Sequence, residues 1–184
     1  MDKDVFFTSD HHFDHFNVIE YAKRPFKDVN HMNERMIEIW NETVPSGSTV
    51  CYLGDFSLGK KSLHFVKRLN GKKILLSGNH DECFKQKPGK IQLYLDAGFD
   101  QVLFGNQFLY GFNCCHFPYY EDHTPTLRYT NHRPKDNGDW LLCGHIHDLW
   151  KIKNKQINVG VDVWDFKPVH HDILFGIINQ EMVR

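Results

Sequence analysis

The chain has no long apolar run. No stretch of its 184 residues approaches the roughly 18 consecutive apolar residues that a membrane-spanning helix needs. The first residues, Met1-Asp2-Lys3-Asp4-Val5, offer no apolar segment of the kind a secretory leader carries. Neither a membrane span nor a secretory signal is expected, and a cytoplasmic location is. Charge of one sign is lacking too: 22 Lys and Arg against 23 Asp and Glu leave a formal net charge of −1. That balance argues against strong binding to duplex nucleic acid, while short oligonucleotides stay open. Cysteine is sparse. Cys51, Cys83, Cys114, Cys115 and Cys143 are odd in number and contain no Cys-x-x-Cys pair. This argues against a disulfide framework and for reduced, mostly buried thiols. Repeats, low-complexity tracts and linkers are also absent, so residues 1–184 are expected to form one domain.

What is present is enough apolar material for a core: 41% hydrophobic residues, with 15 Phe and 4 Trp. Val5–Thr8, Thr49–Leu53 and Lys73–Leu76 read as short strands. Between them, Asp28 is placed to cap a helix running to Thr43, with Val29, Met32, Met36, Ile39, Trp40 and Thr43 at three- and four-residue spacing. Ser62 is placed to cap a short helix to Leu69. A further helix covers about Lys90 to Ala97. This alternation predicts a largely parallel sheet with crossover helices. In the second half Gln101–Phe104, Phe108–Cys115, Trp140–Cys143, Gln156–Val159 and Asp172–Ile178 read as short strands of an antiparallel or mixed second sheet. The fold class is α/β: two sheets packed face to face with helices outside. Phe117 to Asp139 is a long polar excursion with three Pro residues. Loops of that length in a compact domain are usually functional or disordered.

Thirteen His is many for this length, and several lie in five short blocks at or near the ends of apolar runs. The blocks are Asp10-His11-His12, Gly54-Asp55, Gly78-Asn79-His80-Asp81, Cys115-His116 and Gly144-His145-Ile146-His147. In a strand, residues i and i+2 point to one side, so Asp10 with His12, and His145 with His147, can aim at a common point. Imidazole and carboxylate ligands suit first-row divalent metals such as Mn, Fe, Zn or Co. Glycines at 54, 78 and 144 let the backbone turn where a strand ends. Each block alone has a plain alternative: a cap, a turn, or a packed core His. Together they supply Asp10, His12, Asp55, Asn79, His116, His145 and His147, more ligands than one ion uses. Two ions about 3.5–4 Å apart, bridged by one carboxylate, would use them all.

These blocks, in this order, resemble the calcineurin-like metallophosphoesterase superfamily. Its pattern is Asp-x-His, Gly-Asp, Gly-Asn-His-Asp/Glu, His and Gly-His-x-His. The resemblance spans residues 10 to 147. Thr8 to Asn17, and Asn158 to Asp162 with Trp164, Lys167 and Pro168, are similar to small bacterial and phage members. The resemblance implies a four-layer α/β/β/α sandwich of two mixed sheets flanked by helices, with the metal site at the carboxyl ends of the strands. It implies one metal held by Asp10, His12, Asp55 and His147, a second held by Asp55, Asn79, His116 and His145, and Asp55 as the bridge. Mn²⁺ is the first expectation, with Fe, Zn, Ni or Co as alternatives. A metal-activated hydroxide would attack the phosphate ester. His80 is implied to protonate the leaving oxygen, and Asp81 to orient His80 by accepting its other N–H.

The chain departs from one branch of that superfamily. The protein Ser/Thr phosphatases carry Gly-Asp-x-x-Asp-Arg in the second block, whereas Gly54-Asp55-Phe56-Ser57-Leu58-Gly59 has no Asp-Arg. The expected activity is therefore that of a small phosphodiesterase or phosphomonoesterase acting on a phosphate-ester substrate, such as a nucleotide or cyclic nucleotide. A nuclease or nucleotide phosphatase on the same site is the nearer alternative, and a catalytically silent metal-binding interaction module the more distant one. Arg24 is a candidate for the substrate phosphate, against the alternative of a surface Arg before Pro25. His15 and Asn17 are candidates to support the first ligands. Tyr119, Tyr120, Arg128, His132 and Arg133 mark the long loop as a lid or a solvated excursion. Lys151, Lys153 and Lys155 read as a solvated strand face.

Overall fold

A computed structural model describes residues 4–119 and 129–182. The first sheet starts from β1 (Val5–Thr8), β2 (Thr49–Tyr52), β3 (Lys72–Leu76) and β4 (Gln101–Leu103), which run parallel. The second half supplies β5 (Gln107–Leu109), β6 (Phe112–Cys114), β7 (Leu141–Cys143), β8 (Ile152–Lys153) and β9 (Gln156–Asn158) to another sheet, in the order β5-β6-β7-β9-β8. There β6-β7 and β7-β9 are parallel, and β5-β6 and β8-β9 are antiparallel. Then β10 (Val169–His170) returns to lie antiparallel beside β1, completing the order β10-β1-β2-β3-β4. Both sheets are mixed, and the fold is α/β.

The α-helices among the described residues are α1 (Phe16–Tyr21), α2 (Val29–Thr43), α3 (Pro88–Ala97) and α4 (His171–Met182), with 3-10 helices at Lys60–Arg68, Glu82–Lys85, Thr130–His132 and Val161–Val163. None is long and apolar enough to cross a membrane. In α2 the Asp28 carboxylate accepts the His31 N–H at 2.8 Å, the expected cap. Met32, Met36, Ile37 and Trp40 bury its inner stripe. The segment expected to be capped by Ser62 instead starts after Gly59, and Glu82 accepts the Lys60 N–H at 3.0 Å.

Alternation along the first sheet divides the core. Phe6, Val50, Tyr52 and Leu75 join one apolar cluster with Met32, Met36 and Trp40 of α2. Val5, Phe7, Cys51 and Leu76 join another with Phe112, Cys114, Leu142 and Ile157 of the second sheet. The Phe7 and Phe112 rings meet edge to face at 5.2 Å. Burial of both faces explains why these strands read as near-continuous apolar runs.

Two expectations are corrected. Asp172–Ile178 is helical, within α4, although its Ile and Phe content favours strand. Leu174, Phe175, Ile177 and Ile178 recur at three- and four-residue spacing and pack one helical stripe onto the core between the sheets. Phe108–Cys115 is two strands, not one. The chain reverses at Tyr110-Gly111, both with positive φ (49° and 94°), the geometry of a two-residue hairpin turn.

Candidate metal centre

Every expected ligand lies just past the carboxyl end of a strand. Asp10 and His12 follow β1, Asp55 follows β2, Asn79 follows β3, His116 follows β6, and His145 and His147 follow β7. None is in a strand, so the alternation of strand side chains is not what aims them. Asp10, His12, Asp55, His145 and His147 all have left-handed backbones, with φ of 60°, 53°, 59°, 73° and 46°. A bulky side chain there costs free energy and persists only where surrounding contacts over-determine it. Those contacts are backbone hydrogen bonds between the ligand loops. Asp10 N–H donates to Gly54 O at 3.0 Å, His12 N–H to Asp55 O at 3.2 Å, and Gly144 N–H to His116 O at 3.0 Å. Close approach, not turn geometry, requires two of the glycines. A Cβ on Gly78 would stand 2.3 Å from Asp55 Oδ1, and one on Gly144 would stand 2.4 Å from Asp10 Oδ2.

The loops bring the ligands into two adjoining groups, Asp10 with His12 and His147, and Asp55 with His116 and His145. Within each group the potential ligand atoms lie within 4.8 Å of one another. Asp55 faces both: its Oδ2 is 3.7 Å from His12 Nε2 and 3.4 Å from His116 Nε2. Asn79 Oδ1 is 3.1 Å from His116 Nε2, in the second group. The structure thus assembles all seven sequence-expected ligands.

His116, His147, Asp10 and Asp55 are held from behind. His116 Nδ1 lies 2.7 Å from Leu53 O, so donation there leaves Nε2 facing Asp55 and Asn79. His147 Nδ1 pairs with Asp162 Oδ2 at 3.0 Å. Asp10 Oδ2 accepts from Ser9 Oγ at 2.6 Å and from His145 N–H at 3.0 Å, while Asp55 Oδ1 accepts from His80 N–H at 2.8 Å. In the first group, atoms turned inward are unsatisfied. Asp10 Oδ1 and both ring nitrogens of His12 are buried without a hydrogen-bond partner among the described residues. An unpaired buried polar atom costs roughly 1–3 kcal/mol, so Asp10 Oδ1 and His12 Nε2, which face each other across 3.9 Å, need a partner. Carboxylate, amide and imidazole donors with unpaired lone pairs fit divalent cations.

The titration behaviour describes the same crowding. Burial raises the Asp10 carboxyl and lowers His12. Burial also lowers His145, to about 3, helped by the neighbouring His116 charge. Burial opposes charge on the Asp55–His116 pair, yet mutual attraction wins. Asp55 is held below the usual carboxylate range, and His116 is raised to about 9. His147 is raised despite burial because Asp162 accepts its ring N–H.

Two expectations about nearby residues are corrected. Arg24 does not face a substrate. It is buried, donates from Nε and Nη2 to Asp162 at 2.7 and 3.0 Å, and donates to the carbonyls of His11 and Asp10 at 2.8 and 2.7 Å. It clamps the first ligand loop to the loop carrying Asp162. Asp81 does not accept from His80. Its buried carboxylate accepts the backbone N–H groups of Asp55, Phe56 and Gly78 at 2.9, 3.1 and 2.8 Å. Burial and the Asp55 charge push its pKa up to about 7. His80 itself is exposed at the rim, its ring 5.2 Å from that of His12 and 6.3 Å from that of His15. The His15 ring also lies 5.4 Å from that of His12, with its Nδ1 buried and without a hydrogen-bond partner among the described residues, while Asn17 is exposed.

Asp162 and Asn158 were not assigned roles from sequence. Asn158 Nδ2 donates to the carbonyls of His147 and Trp150 at 2.8 and 3.0 Å, shaping the last ligand loop. The only signal was their place in the closing segment, Asn158 to Asp162. In the long loop, Tyr120 and Arg128 lie outside the described residues. Lys153 and Lys155 are exposed, and Lys151 Nζ sits 3.6 Å over the Trp164 ring.

No family model matches the chain. It is 32% identical over 190 residues to an uncharacterised protein of Methanocaldococcus jannaschii, covering 97% of this chain and 93% of that protein. It is 31% identical over 209 residues to the gene 66 protein of Mycobacterium phage D29, covering 98% and 96%, and 29% identical over 206 residues to the gene 66 protein of Mycobacterium phage L5, covering 95% and 94%. Among solved structures it is similar to a crystal structure of a protein of unknown function from Aquifex aeolicus, with a TM-score of 0.72 at 25% identity, covering 95% and 98%.

Proposed function

This chain belongs to the family of the Methanocaldococcus jannaschii and mycobacteriophage D29 proteins, matched over nearly their whole length, and we propose that its single domain is a metal-dependent phosphoesterase of the calcineurin-like superfamily. One observation carries the reading: two adjoining ligand groups share Asp55, and the inward atoms of Asp10 and His12 have no other partner. Asp10, His12 and His147 would hold one divalent ion, Asn79, His116 and His145 the other, and Asp55 both. Mn²⁺ leads, with Fe, Zn, Ni or Co as alternatives. When bound, such a pair supplies Lewis acidity and positive charge where the phosphoryl oxygens gather charge.

The chain's own groups do the rest. Asp162 and Leu53 O fix the ring orientations of His147 and His116, so the ligand nitrogens need no reorganisation. His80 stands exposed beside His12, placed to give a proton to the leaving oxygen of an ester lying over the ligands. Its position comes from its own N–H bond to Asp55, not from Asp81.

The proposed layering is helices, first sheet, second sheet and an outer cover. The alternating cores support the first three layers. Over the far face of the second sheet, Cys115, Leu141 and Cys143 are covered by Phe84, Tyr129 and Trp150 rather than by a long helix of the described residues. The five free cysteines are all buried, which supports a reducing, cytoplasmic setting. The substrate is a phosphodiester or phosphomonoester, a nucleotide or cyclic nucleotide among the candidates.

The test is hydrolysis of aryl phosphodiesters and monoesters with Mn²⁺, Ni²⁺, Zn²⁺ and Mg²⁺ supplied in turn. Turnover that appears with a divalent ion and disappears with a chelator is expected. Inactivity of metal-loaded protein on every ester would overturn the proposal.

A further inference from the structure

Beside the second ligand group lies a cavity of about 270 Å³ that the proposed chemistry does not use. His116 and Phe117 form its wall toward the ligands, and Phe84, Phe104 and His132 line it further out. Phe117 is the shared partition: its ring is 4.9 Å from His116 and 4.9 Å from His145. Around it the Phe84 ring lies 4.8 Å from His132 and 6.0 Å from Phe117, while Tyr129 stacks on Phe117 at 5.2 Å. Phe84, Phe104 and Tyr129 are partly exposed, and His132 is exposed. Of these, Phe84, Phe104 and His132 stand on the cavity lining and offer ring surface to an incoming group. The amides of Gln86, Asn106 and Asn131 stand on the same lining, each able to donate and accept.

Aromatic faces bordered by amides suit a planar, hydrogen-bonding heterocycle. The volume falls just below the roughly 300–1,000 Å³ of pockets that take whole drug-sized ligands, so it fits one ring system with the remainder outside. The direction also matters. His80 stands on the His12 and His15 side of the centre, and the cavity on the His116 and His145 side. A phosphomonoester has one organic group, which would go to His80. A phosphodiester has two.

We infer that the cavity lined by Phe84, Phe117 and His132 binds the nucleobase of a phosphodiester substrate on its retained side, while the leaving oxygen faces His80. This rests on the phosphoesterase reading. In the reaction a water oxygen bonds to phosphorus, the bond from phosphorus to the leaving oxygen breaks, and a proton ends on that oxygen. The nucleoside monophosphate is the retained product.

Two esters with the same leaving group test it: thymidine 5′-(p-nitrophenyl phosphate) and methyl p-nitrophenyl phosphate, with Mn²⁺ supplied. The ratio of their kcat/KM values is expected to favour the nucleoside ester by about tenfold or more, the scale of one base stacked on an aromatic ring. Phe84→Ala and His132→Ala should each pull that ratio toward one. Calorimetry with thymidine 5′-monophosphate gives a readout apart from turnover, and both variants should weaken its binding. Hydrolysis of both esters at similar kcat/KM, or a preference untouched by both variants, would overturn the inference and leave the phosphoesterase standing. Binding of the nucleotide that both variants weaken, with neither ester hydrolysed, would uphold the cavity and sink the phosphoesterase.

Discussion

The interior of the first sheet and the loops at its carboxyl edge are a few residues apart and follow opposite rules. Val5, Phe6 and Phe7 alternate between two apolar clusters, buried and in register with β2. Two residues later Asp10 and His12 take left-handed backbones, and buried polar atoms there have no hydrogen-bond partner. Along these apolar residues local preference agrees with the fold. At the edge strain and unpaired polar atoms accumulate, held by cross-loop hydrogen bonds and by the clamp from Arg24 to Asp162. Departures of that kind concentrate where a protein pays stability for chemistry.

Substitutions on the two sides should separate cleanly. At the edge, His80→Ala is expected to lower kcat by roughly 10²–10⁴, the usual share of a general acid, with metal content retained. Steady-state rates and elemental analysis of the same preparation check this, and loss of metal alongside activity would make His80 a ligand. In the sheet, Phe7→Ala should cost about 3–5 kcal/mol of unfolding free energy by opening a cavity against Phe112. Urea titration reads it, and a loss under 1 kcal/mol would mean that the core between the sheets can collapse.

Asp162→Asn tests the supports behind the ligands. It removes the carboxylate shared by His147 and Arg24, so metal affinity should fall about 10–100-fold. Competition with a chelating dye measures it, and unchanged affinity would reduce the clamp to a structural role. Asp28→Ala, at the α2 cap and remote from the site, should cost only about 1 kcal/mol and leave metal affinity alone. A change in affinity there would break the separation between the two regions.

The same contrast governs what the sequence reveals. Strands β1, β2 and β3 and helix α2 were legible because apolar periodicity and the Asp28 cap are local signals. The ligands were legible because each follows such a strand and their types converge on one chemistry. Helix α4 was not: Ile173, Phe175, Ile177 and Ile178 favour strand locally, and packing on the core between the sheets decides otherwise. Arg24 was misread because its partner lies 138 residues away. The role expected of Asp81 fails because adjacency in sequence does not fix where a side chain points. Its carboxylate turns inward to three backbone N–H groups. Left-handed backbones at non-glycine ligands carry no sequence signature at all, because contacts from other loops impose them.

The most direct test of the shared centre is metal stoichiometry. Elemental analysis of Mn²⁺-loaded protein after desalting should give two ions per chain, and Asp55→Ala should fall to one or fewer. Two ions per chain in Asp55→Ala, or one at most in the unaltered protein, would contradict a pair of sites joined through Asp55.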